Sequence, residues 1–117
     1  MEKLISFFEI PAADFDRAVA FYETVLDTQI QAEACDAEKM GFFPNCEGAI
    51  SCSPQIRPSA NGVLISLKVK SIEHTLEKVE KLGGKTIIPK TAIEAEGHGY
   101  FAVFLDCEGN KIGLHEK

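Results

Sequence analysis

The chain has 117 residues, 45% of them hydrophobic and 26% charged, which suits one soluble folding unit and leaves no room for separate catalytic and regulatory domains. Net charge is −6, and the 12 Lys and Arg are scattered rather than gathered into a stripe, which argues against nucleic acid, a partner held by clustered cations. No apolar run nears the roughly 20 residues that span a bilayer, and acidic Glu2 and Glu9 surround a very short apolar opening, so neither a membrane span nor a secretory signal is expected and the expected location is cytoplasmic.

Ile5 to Ile10 reads as a strand that Pro11 ends, with Phe8 and Ile10 on one face and Phe7 and Glu9 on the other. Asp14 is a good N-cap for a helix whose apolar stripe is Phe15, Ala18, Val19, Tyr22, Val25 and Leu26. Three short strands are expected next, Thr28 to Ala34, Lys39 to Pro44 and Gly48 to Ser53. The turn Asn45-Cys46-Glu47-Gly48 between the last two resembles a later one, Asp106-Cys107-Glu108-Gly109, and both suggest a left-handed Gly in fourth place. Residues 54–62 carry two prolines and a terminal Asn-Gly, so they read as a linker inside one domain spanning 1–117.

The second half repeats the first. Residues 64–87 match 7–30 without a gap at an offset of 57 positions, pairing Phe8 with Ile65, Phe15 with Ile72 and Tyr22 with Val79. A strand Val63 to Val69, a Ser71-capped helix with the stripe Ile72, Leu76, Val79 and Leu82, and a Gly83-Gly84 stop are followed by strands Thr86 to Ile88, Tyr100 to Leu105 and Lys111 to His115. The glycines of the loop 95–99 suggest a segment free to move, and so able to act as a lid. The expected fold is therefore α+β: two tandem βαβββ modules, about 4–53 and 63–117, whose helix-free sheet faces meet around a cleft. The four cysteines form no CxxC pair and read as buried reduced thiols.

The stretch EIPAADFDRAVAFYETVL, the second opening GVLISLKVKSIEHTLEKVEKLGG and the ending FLDCEGNKIGLHEK resemble, in that order and spacing, the vicinal oxygen chelate superfamily of glyoxalase I, extradiol dioxygenases, fosfomycin-resistance and bleomycin-binding proteins. That resemblance implies a cleft in which a divalent metal is held by His or Glu at four positions, which here are Phe7, Cys52, Leu64 and Gly113. Three of these cannot ligate through a side chain and a lone thiol is more often a buried apolar residue, so no metal or other cofactor is expected, the alternative being a divalent ion at a non-standard site. Strand alternation turns Glu9, Ser66 and His115 to the same side, making Glu9 and His115 candidate acid/base residues and Phe7, Glu9, Cys52, Leu64, Ser66, Gly113 and His115 the candidate ligand-binding set. The first functional expectation is a small organic molecule bound without metal in an apolar cleft. A glyoxalase-like lyase or isomerase with a displaced site is second, and a non-catalytic interaction module third. Relatives of this kind imply a homodimer.

Overall fold

A computed structural model describes residues 4–35, 37–94 and 97–117. The first module runs β1 (Phe8–Pro11), α1 (Phe15–Val25), β2 (Gln31–Cys35), β3 (Glu38–Phe42) and β4 (Gly48–Cys52); the second runs β5 (Ser66–Lys68), α2 (Ile72–Lys81), β6 (Lys85–Ala92), β7 (Tyr100–Leu105) and β8 (Lys111–Glu116). The fold is α+β, two tandem βαβββ modules. Their four-stranded sheets have the corresponding orders β1-β4-β3-β2 and β5-β8-β7-β6, with β1 parallel to β4 and β5 parallel to β8. No described helix is long and apolar enough to cross a membrane.

Both helices start where their caps dictate. The Asp14 carboxylate accepts from Arg17 N at 3.2 Å, and the Ser71 hydroxyl accepts from His74 N at the same distance. Phe15, Ala18, Phe21, Tyr22 and Val25 form the buried face of α1. Phe21 takes a place expected of Val19 and Leu26, which are only half-buried, because its ring reaches Phe104 of the second sheet at 6.3 Å. Strand β6 continues to Ala92, past the expected Ile88. Pro89 is tolerated there because β6 is the outer strand of its sheet and shifts register twice against β7.

The two turns expected to be alike differ. Gly109 is left-handed (φ 91°), but in the earlier turn Asn45 (φ 66°) and Cys46 (φ 53°) take that conformation, and Gly48 does not. Gly48 answers to another feature: a Cβ there would stand 2.5 Å from the Phe8 ring, which would have to shift. The cysteines also depart from expectation, since Cys46 is exposed and Cys52 and Cys107 are half-buried, while the side chain of Cys35 lies outside the described residues. Burial, with Asp106 next in effect, pushes the Cys107 thiol up to about 11, so it stays protonated at neutral pH.

One apolar core joins the modules, with Tyr22, Val25, Ile50, Ile72, Phe104 and Leu114 among its sealed members. A buried polar knot fastens them further. Asp106, 3% exposed, accepts from Tyr22 Oη at 2.6 Å, from Glu108 N at 2.8 Å and from Asn110 N at 2.9 Å. Glu108, its side chain sealed, reaches back to accept from Ala13 N, Asp14 N and the Arg17 guanidinium at the start of α1. Glu116 serves α2 in the same manner, accepting from Ile72 N at 2.7 Å and from Lys90 Nζ at 3.1 Å.

These carboxylates tie stability to pH. Burial raises the pKa of Glu108, but hydrogen bonds from Arg17, Asp14 N and Ala13 N outweigh it, so the carboxyl lies below its ordinary 4.5. The Ile72 N–H, then Lys90, lowers Glu116 as well. A carboxyl depressed in the folded state contributes stability that is complete above the unfolded pKa and lost as pH falls through the folded one. The urea midpoint is therefore expected to drop on acidification below pH 4.5, and Glu108→Gln to cost about 1–3 kcal/mol at neutral pH while flattening that drop. An unchanged pH profile in Glu108→Gln would show that the charge at this cap contributes nothing.

Candidate functional site

Side chains alternate along each strand, so the core residues Ile10, Ile50, Leu67 and Leu114 identify the helix-covered faces and their neighbours identify the open ones. On the first sheet the open face carries Glu9 opposite Ala49, Pro11 opposite Ser51, and Met40 and Phe42 beyond. Phe7, one residue before β1, shares this face, its ring 6.3 Å from that of Phe42. On the second sheet Ser66 lies opposite Gly113, and Lys68 opposite His115. Phe7 and Leu64 are 38% and 48% exposed, so the open faces are not packed shut.

Cys52 is the exception among the expected residues. It falls in alternation with Gly48 and Ile50, packs against the core, and lies with its Sγ 3.8 Å from Ala13 O on the helix side. Ser51 takes the open-face position instead, its Oγ donating to Glu9 Oε1 at 2.7 Å. The strand begins at Gly48 as expected, so the place that the resemblance implies for Cys52 is what fails: alternation from Gly48 and Ile50 puts Cys52 on the covered face.

Glu9 and His115 sit apart in their contacts. His115 Nε2 donates to the His98 carbonyl at 2.7 Å, a partner that can only accept, while Glu9 is held by Ser51. None of the described cavities is lined by both. In the loop 95–99, Ala95 and Glu96 lie outside the described residues. The remainder is held by the His115 bond and by Ile93 N donating to Gly99 O at 2.9 Å.

Glu9 lines a cavity of about 230 Å³ at the seam between the modules, bounded by β1, the linker, the approach to β5 and the start of β8. Ile10, Pro11, Val63, Ile65 and Ile112 give it apolar walls, and Arg57 and Lys111 supply two cations that form no ion pair among the described residues. Asn110, 4% exposed, fixes its frame. The Asn110 amide donates to Pro11 O at 2.7 Å and to Asp106 Oδ2 at 3.0 Å, and its oxygen accepts from Ser59 N in the linker at 3.0 Å. Arg57, Lys111 and Asn110 were missed by sequence reasoning. Only the paired placement of linker and final turn brings them to Glu9.

The four positions that would hold a metal do not fit one. Phe7 and Leu64 offer no donor, and the Cys52 thiol faces the helices. At Gly113 any Cβ would lie 2.3 Å from Ser66 Oγ, so a ligating side chain there would have to displace Ser66. Among the described residues no three His, Cys, Asp or Glu side chains converge elsewhere in a metal-binding group.

Paired βαβββ modules, each presenting one helix-free sheet face, have the fold of glyoxalase/bleomycin resistance proteins, and with the family match that follows they make this a protein of the vicinal oxygen chelate type. The chain belongs to the glyoxalase-like domain family, whose model matches residues 7–115. A glyoxylase-like domain-containing protein of Didymella fabae is 35% identical over 117 residues, covering 91% of this chain and 88% of that protein. Among solved structures, the chain is similar to a glyoxylase/bleomycin resistance protein/dioxygenase domain from Frankia sp. EAN1pec, with a TM-score of 0.74, 16% identity and coverage of 99% of this chain and 98% of that one. A glyoxalase/bleomycin resistance protein from Albidiferax ferrireducens T118 gives 0.72 at 19% identity, covering 98% and 99%. At such identities the structural likeness speaks for the fold.

Proposed function

We propose that the protein binds a small organic molecule without metal, in the seam cavity rather than across the whole open sheet face. One observation carries this reading: Glu9, held by Ser51, shares an apolar-walled cavity with Arg57 and Lys111, neither of them in an ion pair among the described residues. The formal charges of that lining sum to +1, against −6 for the chain, so the ligand is a small anion, with Glu9 accepting a hydrogen bond from its hydroxyl or amine. A cavity of about 230 Å³ lies below the roughly 300–1,000 Å³ of sites for drug-sized ligands, so the ligand is smaller than those. Any proton transfer here falls to Glu9, since His115 is turned to His98. A homodimer belongs to the same reading: Leu4, Ile5, Val63 and Leu64 are each about half or more exposed, apolar surface that a second copy would cover.

The test is thermal and chemical denaturation of the purified protein with small hydroxy-carboxylates, phosphonates, matched amines and divalent ions, alongside sedimentation to read the oligomeric state. A ligand at 100 times its dissociation constant adds about 2.7 kcal/mol. Stabilisation is expected from the anions, lost in the pair Arg57→Glu and Lys111→Glu. Stabilisation by amines alone, or by a metal in a manner that Glu9→Gln abolishes, would overturn the reading.

A further inference from the structure

Away from the seam cavity, a groove of about 860 Å³ runs between the C-terminal end of α1 and the N-terminal end of α2, along the outer edge of β5. Its size falls within the range of cavities that take organic ligands. Phe8, Leu26, Leu67 and Val69 give it an apolar floor, and each is only partly buried by the protein itself. The walls differ in charge. Lys70 and Lys78, with His74 beside them, stand on the wall contributed by the second module, Lys68 borders it at the β5 edge, and the acids Asp27 and Glu47 stand on the other wall. Among the described residues none of the three lysines forms an ion pair, and His74 has only a distant one, 3.9 Å from Glu77.

The main chain adds an unpaired strand edge on the basic wall. Val69 N donates to His115 O and Gly113 N donates to Ile65 O, so the odd-numbered residues of this stretch face β8. The N–H and C=O groups of Ser66 and Lys68 therefore both point the other way, along the groove edge, so the main chain there offers donors and acceptors alike. A long apolar floor beneath one wall of unpaired lysines is complementary to a molecule with an aliphatic chain and a single anionic head. In a chain of net charge −6, such a wall is a local reversal of sign that solubility does not require.

We propose that this groove binds an amphiphilic carboxylate, its chain over Phe8, Leu26, Leu67 and Val69 and its head on Lys70 and Lys78. The site is independent of the seam cavity, and either can fail without the other. It is tested by titrating the ¹⁵N-labelled full chain with dodecanoate and, separately, with uncharged dodecanol, following amide shifts. Saturable shifts confined to Leu26, Leu67, Val69 and the start of α2 are expected, with dodecanol at least tenfold weaker. The pair Lys70→Glu and Lys78→Glu should weaken dodecanoate at least tenfold. Lys81→Glu, at the far end of α2, should change it less than twofold, and melting curves of all variants check the fold. Equal affinity for acid and alcohol, indifference to reversal at Lys70 and Lys78, shifts on the open sheet face, or no saturable shift would each overturn the proposal.

Discussion

Replacing Asp106 with Ala is expected to lower stability by about 3–5 kcal/mol, because it removes a buried charge from a network rather than one contact. The carboxylate accepts from Tyr22 Oη, Glu108 N, Asn110 N and, at 3.0 Å, Asn110 Nδ2. Tyr22 is 0% exposed, so its hydroxyl would keep no partner and no water. Asn110 would lose part of its hold on Pro11 and on the linker at Ser59, loosening the frame of the seam cavity. Tyr22→Phe leaves the ring packing intact and is expected to cost less, about 1–3 kcal/mol. Urea denaturation measures both, and a loss below about 1 kcal/mol for Asp106→Ala would mean that the knot adds little to the core that joins the modules. The same burial, helped by Asp106, holds the Tyr22 phenol well above its ordinary 10.0. Because that pKa is raised in the folded state, its contribution is complete below pH 10 and is lost as alkali is added beyond it.

Gly99→Ala is expected to cost about 2–4 kcal/mol and to release the bond between His115 and the His98 carbonyl. Two terms add. Gly99 is left-handed (φ 81°), and its Cβ would stand 2.3 Å from the Glu116 carbonyl oxygen and 2.9 Å from Lys117 Cα, backbone atoms that no rotamer can move aside. Gly97 provides the internal comparison. It too is left-handed (φ 80°) but has nothing within 4 Å of its Cβ position, so Gly97→Ala should show only the conformational term, about 1–2 kcal/mol. Equal losses for the two would refute the close approach. The imidazole resonances of His115 report the released bond directly. At position 99, then, glycine serves a tight passage of chain against the end of β8.

Much of the fold was legible because its signals are local. Asp14 and Ser71 cap their own helices, the spacing of Phe15, Ala18, Tyr22 and Val25 declares a buried face, and Glu9 alternates with Phe8 and Ile10 whatever surrounds them. Errors arose where a distant contact decided the outcome. Gly48 answers to the Phe8 ring rather than to its turn, Phe21 is drawn inward by Phe104, and Pro89 is admitted because β6 has no outer neighbour. The candidate site suffered most. Arg57 sits in a stretch with no period and Lys111 opens a final hairpin, so neither carries a mark linking it to Glu9.

The sequence by itself determined two repeated βαβββ modules, the helix limits, the open-face side of Glu9, Ser66 and His115, and the poverty of donors at Phe7, Leu64 and Gly113. Caps, alternation and residue chemistry act within a few residues and need no partner. Tertiary structure alone decided that Cys52 turns to the core, that Glu9 lines a cavity with Arg57 and Lys111 and not with His115, and that three lysines rim an apolar groove. Those outcomes depend on strand register and on how two modules pack, which are set by the summed burial of a shared core and by the Asp106 network, not by any neighbouring residue in the chain.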